Sequence, residues 1–333
     1  MTIITLLLGN IWSAVNPWTG LYQLIVKRTK VFPVISYPRR LAYMPAVFFF
    51  AAFAWLELIH PSPTDPAFLS NVVLSYLILQ FIGLFLFGEA WMKHCEAFSV
   101  FFTMVSWNSP VSAEKVSNVL KTGRGDETSA AEKLEVYVGY PTRKLMGTNI
   151  SDFSHILFII LSLSTVSFDG FSRTFTWLAM IGVNPLDYPG RTALLIPNTF
   201  GMLVMFAAIF TIFAVATFLA KAVVFRSIGL QKIMALFIPS IVPIAMGYHV
   251  AHYFPYILAD FQTVYHAFSD PFGLKWNLFG VSGPPAIPSF LKDPIRLYYV
   301  YYVQVALIVL VHVIAVYVGH RIAIELSNKV EQA

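Results

Sequence analysis

The stretch ALLIPNTFGMLVMFAAIFTIFAVATFLA, residues 193–220, carries no ionisable side chain before Lys221. A bilayer core needs roughly 20 mostly apolar residues to be crossed by a helix, and this segment exceeds that. Five further stretches have the same character: residues 41–59, 68–87, 153–171, 233–258 and 298–319. The whole chain agrees with them. Of its 333 residues 57% are hydrophobic and only 12% are charged, and its mean hydropathy is +0.69. Soluble domains carry about 25% charged residues, so a soluble enzyme, a disulfide scaffold and a disordered chain are all excluded. Cys95 is the single cysteine and can form neither an internal disulfide nor a CxxC metal site.

These six stretches predict an all-α, polytopic integral membrane helix bundle, one domain over residues 1–333, with the lipid bilayer as its first partner. The fourth and fifth are long enough to tilt or project. Pro197, Pro239, Pro243 and Pro255 predict kinks, because proline removes a backbone donor. Shorter apolar stretches at 97–107 and 175–183 cannot span and read as interfacial or re-entrant helices. Residues 1–40 read as an interfacial amino-terminal segment, with Trp12, Trp18 and Tyr22 suited to the headgroup level. No basic run precedes the first apolar residues, so a cleaved signal peptide is not expected.

Lys and Arg set the expected orientation. Six spans with both termini cytoplasmic place 17 of the 22 basic residues inside. The expected location is a bacterial cytoplasmic (inner) membrane, crossed many times. Residues 108–152 then form a cytoplasmic connecting segment with a turn at GRGDE, residues 123–127, and residues 260–294 an outer-surface loop rich in Pro, Gly and aromatics. The net charge of +5 is spread over the loops and calls for no nucleic acid. The Asn149-Ile-Ser151 sequon falls on the inner side and is read as coincidental. No repeat of 20–50 residues is evident.

An ionisable side chain inside a span costs about 2.5–3.5 kcal/mol at the bilayer centre, which makes each one a functional candidate. Glu57 and His60 end the first span and Asp169 the third; His249 and His252 lie in the outer half of the fifth, with His266 and Asp270 beyond. His249 and His252 are three apart, on one helix face, near enough to share a cation. With Asp169 they make a candidate metal set of the kind that binds zinc, manganese or iron. Each histidine could equally hydrogen-bond a neighbouring helix. His312 and His320 on the sixth span are eight apart, about 80° of rotation, so both can look into the bundle. There they are candidate cofactor ligands, to a b-type haem or copper, or structural groups. Glu89 and Glu96 are seven apart and would share a face of a continuous helix near the inner surface, where Glu89 is a further catalytic candidate. HExxH, GxSxG, Walker A and GxGxxG patterns are absent.

A set of short strings gives the chain a family likeness. Asn16-Pro17-Trp18, Trp55-Leu-Glu57-Leu, Phe87-Gly-Glu-Ala-Trp91, Ala97-Phe-Ser-Val-Phe-Phe102, Phe168-Asp169-Gly170, Tyr248-His-Val-Ala-His-Tyr253, Asp270-Pro-Phe-Gly273, Trp276-Asn-Leu-Phe-Gly280 and the Gln304, His312, His320 pattern are the carriers. From about residue 9 to 324 the chain resembles a bacterial membrane-protein family commonly labelled fenitrothion hydrolase. The resemblance implies membrane-bound hydrolysis of organophosphorus triesters. The resemblance implies additional membrane segments upstream, supplied either by a missing amino-terminal half or by a separate membrane partner subunit. No site residue is carried over from the family.

Three functions are therefore weighed. The first is a membrane-embedded, metal-dependent hydrolase of an apolar ester. In it His249, His252 and Asp169 hold a divalent metal, Glu57, Asp169 or Glu89 serves catalysis, and the apolar small-molecule substrate arrives from the lipid. The second is a redox or metal-handling protein with histidine-ligated haem or copper. The third is a transport or structural subunit in which Glu57, Asp169 and the histidines line a cation path.

Overall fold

The computed structural model describes residues 1–29, 33–117, 132–141, 143–148, 150, 152–187, 190–281 and 293–331. Three short helices open the chain: α1 (Thr2–Leu8), α2 (Trp12–Val15) and α3 (Pro17–Thr29). Then come α4 (Met44–Leu58) and α5 (Pro66–Phe87), followed by the short pair α6 (Glu89–His94) and α7 (Ala97–Ser106). An antiparallel hairpin of β1 (Val111–Ser117) and β2 (Glu132–Val138) leads to α8 (Arg143–Gly147). Helices α9 (Phe153–Ser172), α10 (Phe175–Met180), α11 (Arg191–Val223), α12 (Leu230–Phe237), α13 (Val242–Ser269) and α14 (Pro294–Glu331) complete it.

Five helical runs among the described residues are long and apolar enough to cross a membrane: α5, α9, α11, residues Leu230–Phe261 and α14. The expected sixth, residues 41–59, forms α4, whose 15 residues fall short of that length. It nonetheless runs alongside α9 from end to end. The amide of Tyr43 donates to Ser154 Oγ at 2.9 Å at one end, and Glu57 and Asp169 line the same cavity at the other. Of the four prolines expected to kink the spans, Pro197 and Pro255 lie inside the continuous helices α11 and α13, and the other two sit at helix starts. Pro239 sits in a 3-10 turn, Ile238–Ile241, that separates α12 from α13, and Pro243 occupies the first turn of α13.

Helix α9 is the axis of the bundle. Its most apolar stretch is 72% buried, against 17% in α5 and α11 and 11% in α14, whose outward faces are Val, Leu, Ile and Phe. Such faces suit lipid contact. The core gathers Phe158, Ile159 and Ile160 of α9, Phe50 of α4, Phe101 and Val105 of α7, and Val242 and Met246 of α13.

The apolar stretch expected to be too short to span forms the ten-residue α7, joined to the short α6. Helix α6 folds back on α5, where Trp91 lies on Gly83: a Cβ there would stand 2.1 Å from the indole. Trp91 Nε1 also donates to Gln80 at 2.8 Å. The helix stops at His94, so Glu89 and Glu96 do not share a face. Glu89 is exposed and, among the described residues, accepts a long bond from Gln23 Nε2, 3.4 Å. Glu96 is fully buried and caps α7, accepting from the amides of Phe98 (3.0 Å) and Ser99 (2.6 Å), Tyr76 Oη (2.6 Å) and Trp12 Nε1 (3.3 Å). One carboxylate thus ties α2, α5 and α7 together.

Three boundaries differ from expectation. Residues 1–40 are not a free interfacial segment: α1 packs on α7, and Asn16 Nδ2 donates to Ser99 Oγ at 3.1 Å. The connecting segment 108–152 holds the β1–β2 hairpin; its expected turn at 123–127, like Asn149 and Ser151 of the sequon, lies outside the described residues. The loop expected at 260–294 begins later, because α13 runs on to Ser269, and residues 282–292 lie outside the described residues.

Glu96→Ala is expected to cost about 3–5 kcal/mol, the scale for removing one partner of a buried, hydrogen-bonded charge. Thermal unfolding in detergent reads this, with Glu89→Ala expected to leave the midpoint unchanged. Cys95 beside the cap is fully buried, and burial pushes its thiol up to about 11 against the opposing Tyr37 hydroxyl. Maleimide at neutral pH is expected to label it only after SDS unfolding, since the thiolate is the reactive form.

Candidate ligand site

The carboxyl-terminal ends of α4 and α9 and the first half of α13 bring together residues that lie nearly 200 positions apart in the chain. Asp169, 5% exposed, uses both carboxylate oxygens. Oδ2 meets His252 Nε2 at 2.6 Å, and Oδ1 accepts from Arg173 Nε at 3.0 Å and Nη2 at 2.9 Å. Arg173 lies one turn after Asp169, the spacing at which helix side chains pair, and its Nη1 also donates to Tyr256 Oη. On α4, Glu57 Oε1 accepts from Tyr253 Oη at 3.3 Å, while Arg191 Nη1 ties the end of the helix by donating to the Glu57 carbonyl at 2.9 Å.

This cluster separates two cavities. One, of about 690 Å³, is walled by Phe50, Phe53, Phe98, Phe101 and Phe102, with Glu57, Asp169, His249 and Tyr253 at its polar end and the first residues of α1 along one side. The other, of about 580 Å³, opens among Arg173, Arg191, Tyr256 and Asp260. Both share Glu57, Asp169 and Tyr253. Volumes of 300–1,000 Å³ with few polar groups are typical of small-molecule sites.

The two histidines of α13 part company here. His252 is committed to Asp169 and does not line the aromatic cavity. His249 does line it, with its ring 5.5 Å from Phe101 and 5.3 Å from Tyr253. Its Nδ1 is buried and has no hydrogen-bond partner among the described residues, an arrangement that costs about 1–3 kcal/mol.

Of the expected metal set, His249, His252 and Asp169, two are already paired with each other. Asp169 is held by a guanidinium and an imidazole, His252 Nε2 is occupied, and among the described residues no three His, Cys, Asp or Glu side chains are placed to hold a metal ion. Helix α14 is turned so that Ala315 and Val318 face the bundle. His312 and His320 are consequently exposed on its far side, not directed inward to a haem or copper, and His312 Nδ1 contacts the Ile308 carbonyl of its own helix at 2.7 Å. Glu89, on α6, does not line either cavity. Asp270 caps a turn through the amides of Leu274 and Lys275, and His60 stacks on Phe68.

Arg173, Tyr253 and Tyr256 escaped the reading of the sequence, although their spacings to Asp169, His249 and His252 were a readable signal. No family model, curated protein or solved structure matches the chain.

Asp169→Asn is expected to cost about 3–5 kcal/mol by stranding its partners. Arg173→Gln should cost less, about 1 kcal/mol, because that side chain is 51% exposed and screened by solvent. Denaturation of both variants in detergent gives the comparison.

Proposed function

We propose that the chain is a membrane-embedded hydrolase of an apolar ester, an organophosphorus triester by the likeness of its sequence strings. The observation that carries this is an aromatic cavity whose polar end brings His249 together with the carboxylate of Glu57. A bacterial cytoplasmic membrane with both termini inside fits the distribution of Lys and Arg.

In this reading the aryl or alkyl body of the ester occupies the phenylalanine-lined cavity, entered from the lipid. His249 hydrogen-bonds the ester's polar group. Glu57, facing both cavities, takes a proton from a water supplied by the polar one. The water oxygen bonds to phosphorus, the bond to the leaving oxygen breaks, and the proton passes from Glu57 to that oxygen. Asp169 positions rather than reacts, because both its oxygens are engaged. Tyr253 orients Glu57 through its hydroxyl.

The test is release of the phenol from an aryl dialkyl phosphotriester by detergent-purified protein. Glu57→Gln should lower kcat by about 10²–10⁴, the contribution of a positioned base. His249→Phe should raise KM with a smaller change in kcat. Chelator treatment should leave both constants unchanged; a rate lost to chelator and restored by zinc or manganese would return the metal-dependent mechanism. Ester binding without turnover in the unmodified protein would leave a binding or transport protein.

A further inference from the structure

The aromatic cavity is longer than a compact ester fills. Helix α13 lines it with His249, Val250, Tyr253, Ile257, Phe261 and Val264. Those positions recur every three or four residues and so share one face of the helix. At 1.5 Å per residue the face runs about 22 Å. Glu57 bonds to Tyr253 on that face. This leaves about 6 Å of it on the His249 side and about 16 Å beyond, out to Val264.

The two sides of Glu57 differ. Toward His249 the cavity is walled by Phe50, Phe101 and Phe102 and suits a compact or aryl group. Beyond Tyr253, α4 gives out at Leu58, and Ile257, Phe261 and Val264 remain exposed although they line the cavity. The polar residues of the same stretch, Tyr256 and Asp260, line the second cavity instead. Helix α13 therefore sorts its side chains between a polar cavity and an apolar trough one side chain wide. An open apolar stripe of that shape matches an unbranched alkyl chain, because contact removes apolar surface of both from water. With a bond of about 1.5 Å and an angle of about 111°, an extended chain advances about 1.25 Å per carbon. About 16 Å of trough holds about 13 carbons.

We propose that the ligand of this cavity is a single-chain amphiphile. Its ester group lies at Glu57 and Tyr253, and its unbranched alkyl chain, about 12–14 carbons long, lies along Ile257, Phe261 and Val264. The chemistry at the ester group rests on the hydrolase reading; the place of the chain does not.

Native mass spectrometry of the full chain in detergent tests it. The probes are triethyl phosphate and the hexyl, decyl, tetradecyl and octadecyl diethyl phosphates, none with an activated leaving group. Affinities are read as the ratio of unmodified protein to variant, so that partition of the probe into detergent cancels. Ile257 stands about 6 Å beyond Tyr253 and Phe261 about 12 Å, within reach of about five and about ten carbons. Ile257→Ser is therefore expected to weaken binding from the hexyl chain onward, and Phe261→Ser only from the decyl chain onward. The loss is expected to reach about tenfold with the tetradecyl chain and to grow no further with the octadecyl, while Phe261→Leu keeps most of the affinity. Both side chains are exposed, so the unfolding midpoint should not move. A ratio that is the same for every chain length, or a loss from Phe261→Ser already present with triethyl phosphate, would overturn the proposal. Tetradecyl ethyl 4-nitrophenyl phosphate separates the two readings. Chain-dependent binding of the probes without release of nitrophenol from this ester keeps the chain site and removes the hydrolase. Nitrophenol release indifferent to both serine variants keeps the hydrolase and removes the chain site.

Discussion

Everything around the aromatic cavity depends on a carboxylate that has been taken out of water. Glu96 accepts four hydrogen bonds, two from the first turn of α7 and one each from α5 and α2. A helix of ten residues cannot hold itself in place in the middle of a bundle, since short helices are marginal without tertiary support. Capped by Glu96 and pressed against α4 and α9, α7 becomes a fixed wall. Its three phenylalanines, Phe98, Phe101 and Phe102, then line the cavity and meet His249. The cost of burying the charge is offset only because every donor around it is aimed at it.

The site shows the opposite use of a buried carboxylate. Asp169 is neutralised by a guanidinium and an imidazole from two helices, and so fixes α9 against α13. Glu57 has one hydroxyl partner, from Tyr253, and in the proposed hydrolase it is the acid left to exchange a proton while Asp169 holds the helices together.

How much of this was legible in the sequence follows from where the information resides. Five of the six expected spans were readable as long apolar helices because an apolar run of sufficient length has few alternatives, whereas residues 41–59 gave the shorter α4; α7 was readable as a short helix from the length of its run. The direction in which a span faces was not readable. Helices α5, α11 and α14 are apolar nearly all round, so no stripe marks the inner face. The rotation of α14 is set by Gly247 of α13, over which Val311 packs, and by the small Ala315, and this turns His312 and His320 outward. The meeting of Glu57, Asp169 and His249 was foreseeable as a possibility through their common depth. The pairing of Asp169 with Arg173 and His252, which takes it away from a metal, belongs to tertiary packing.

The shortness of α4 has a consequence for the membrane itself. Fifteen residues rise about 22 Å, well under the roughly 30 Å of a bilayer core. Where α4 ends, the chain presents His60, Arg173, Arg191 and Asp260, groups that draw water and headgroups toward them. A bilayer meeting this hydrophobic mismatch thins locally. Such a dimple would lie over Glu57 and bring water within reach of the aromatic cavity, so that in the proposed hydrolase an ester dissolved in lipid and a water molecule would need to cross little protein to meet.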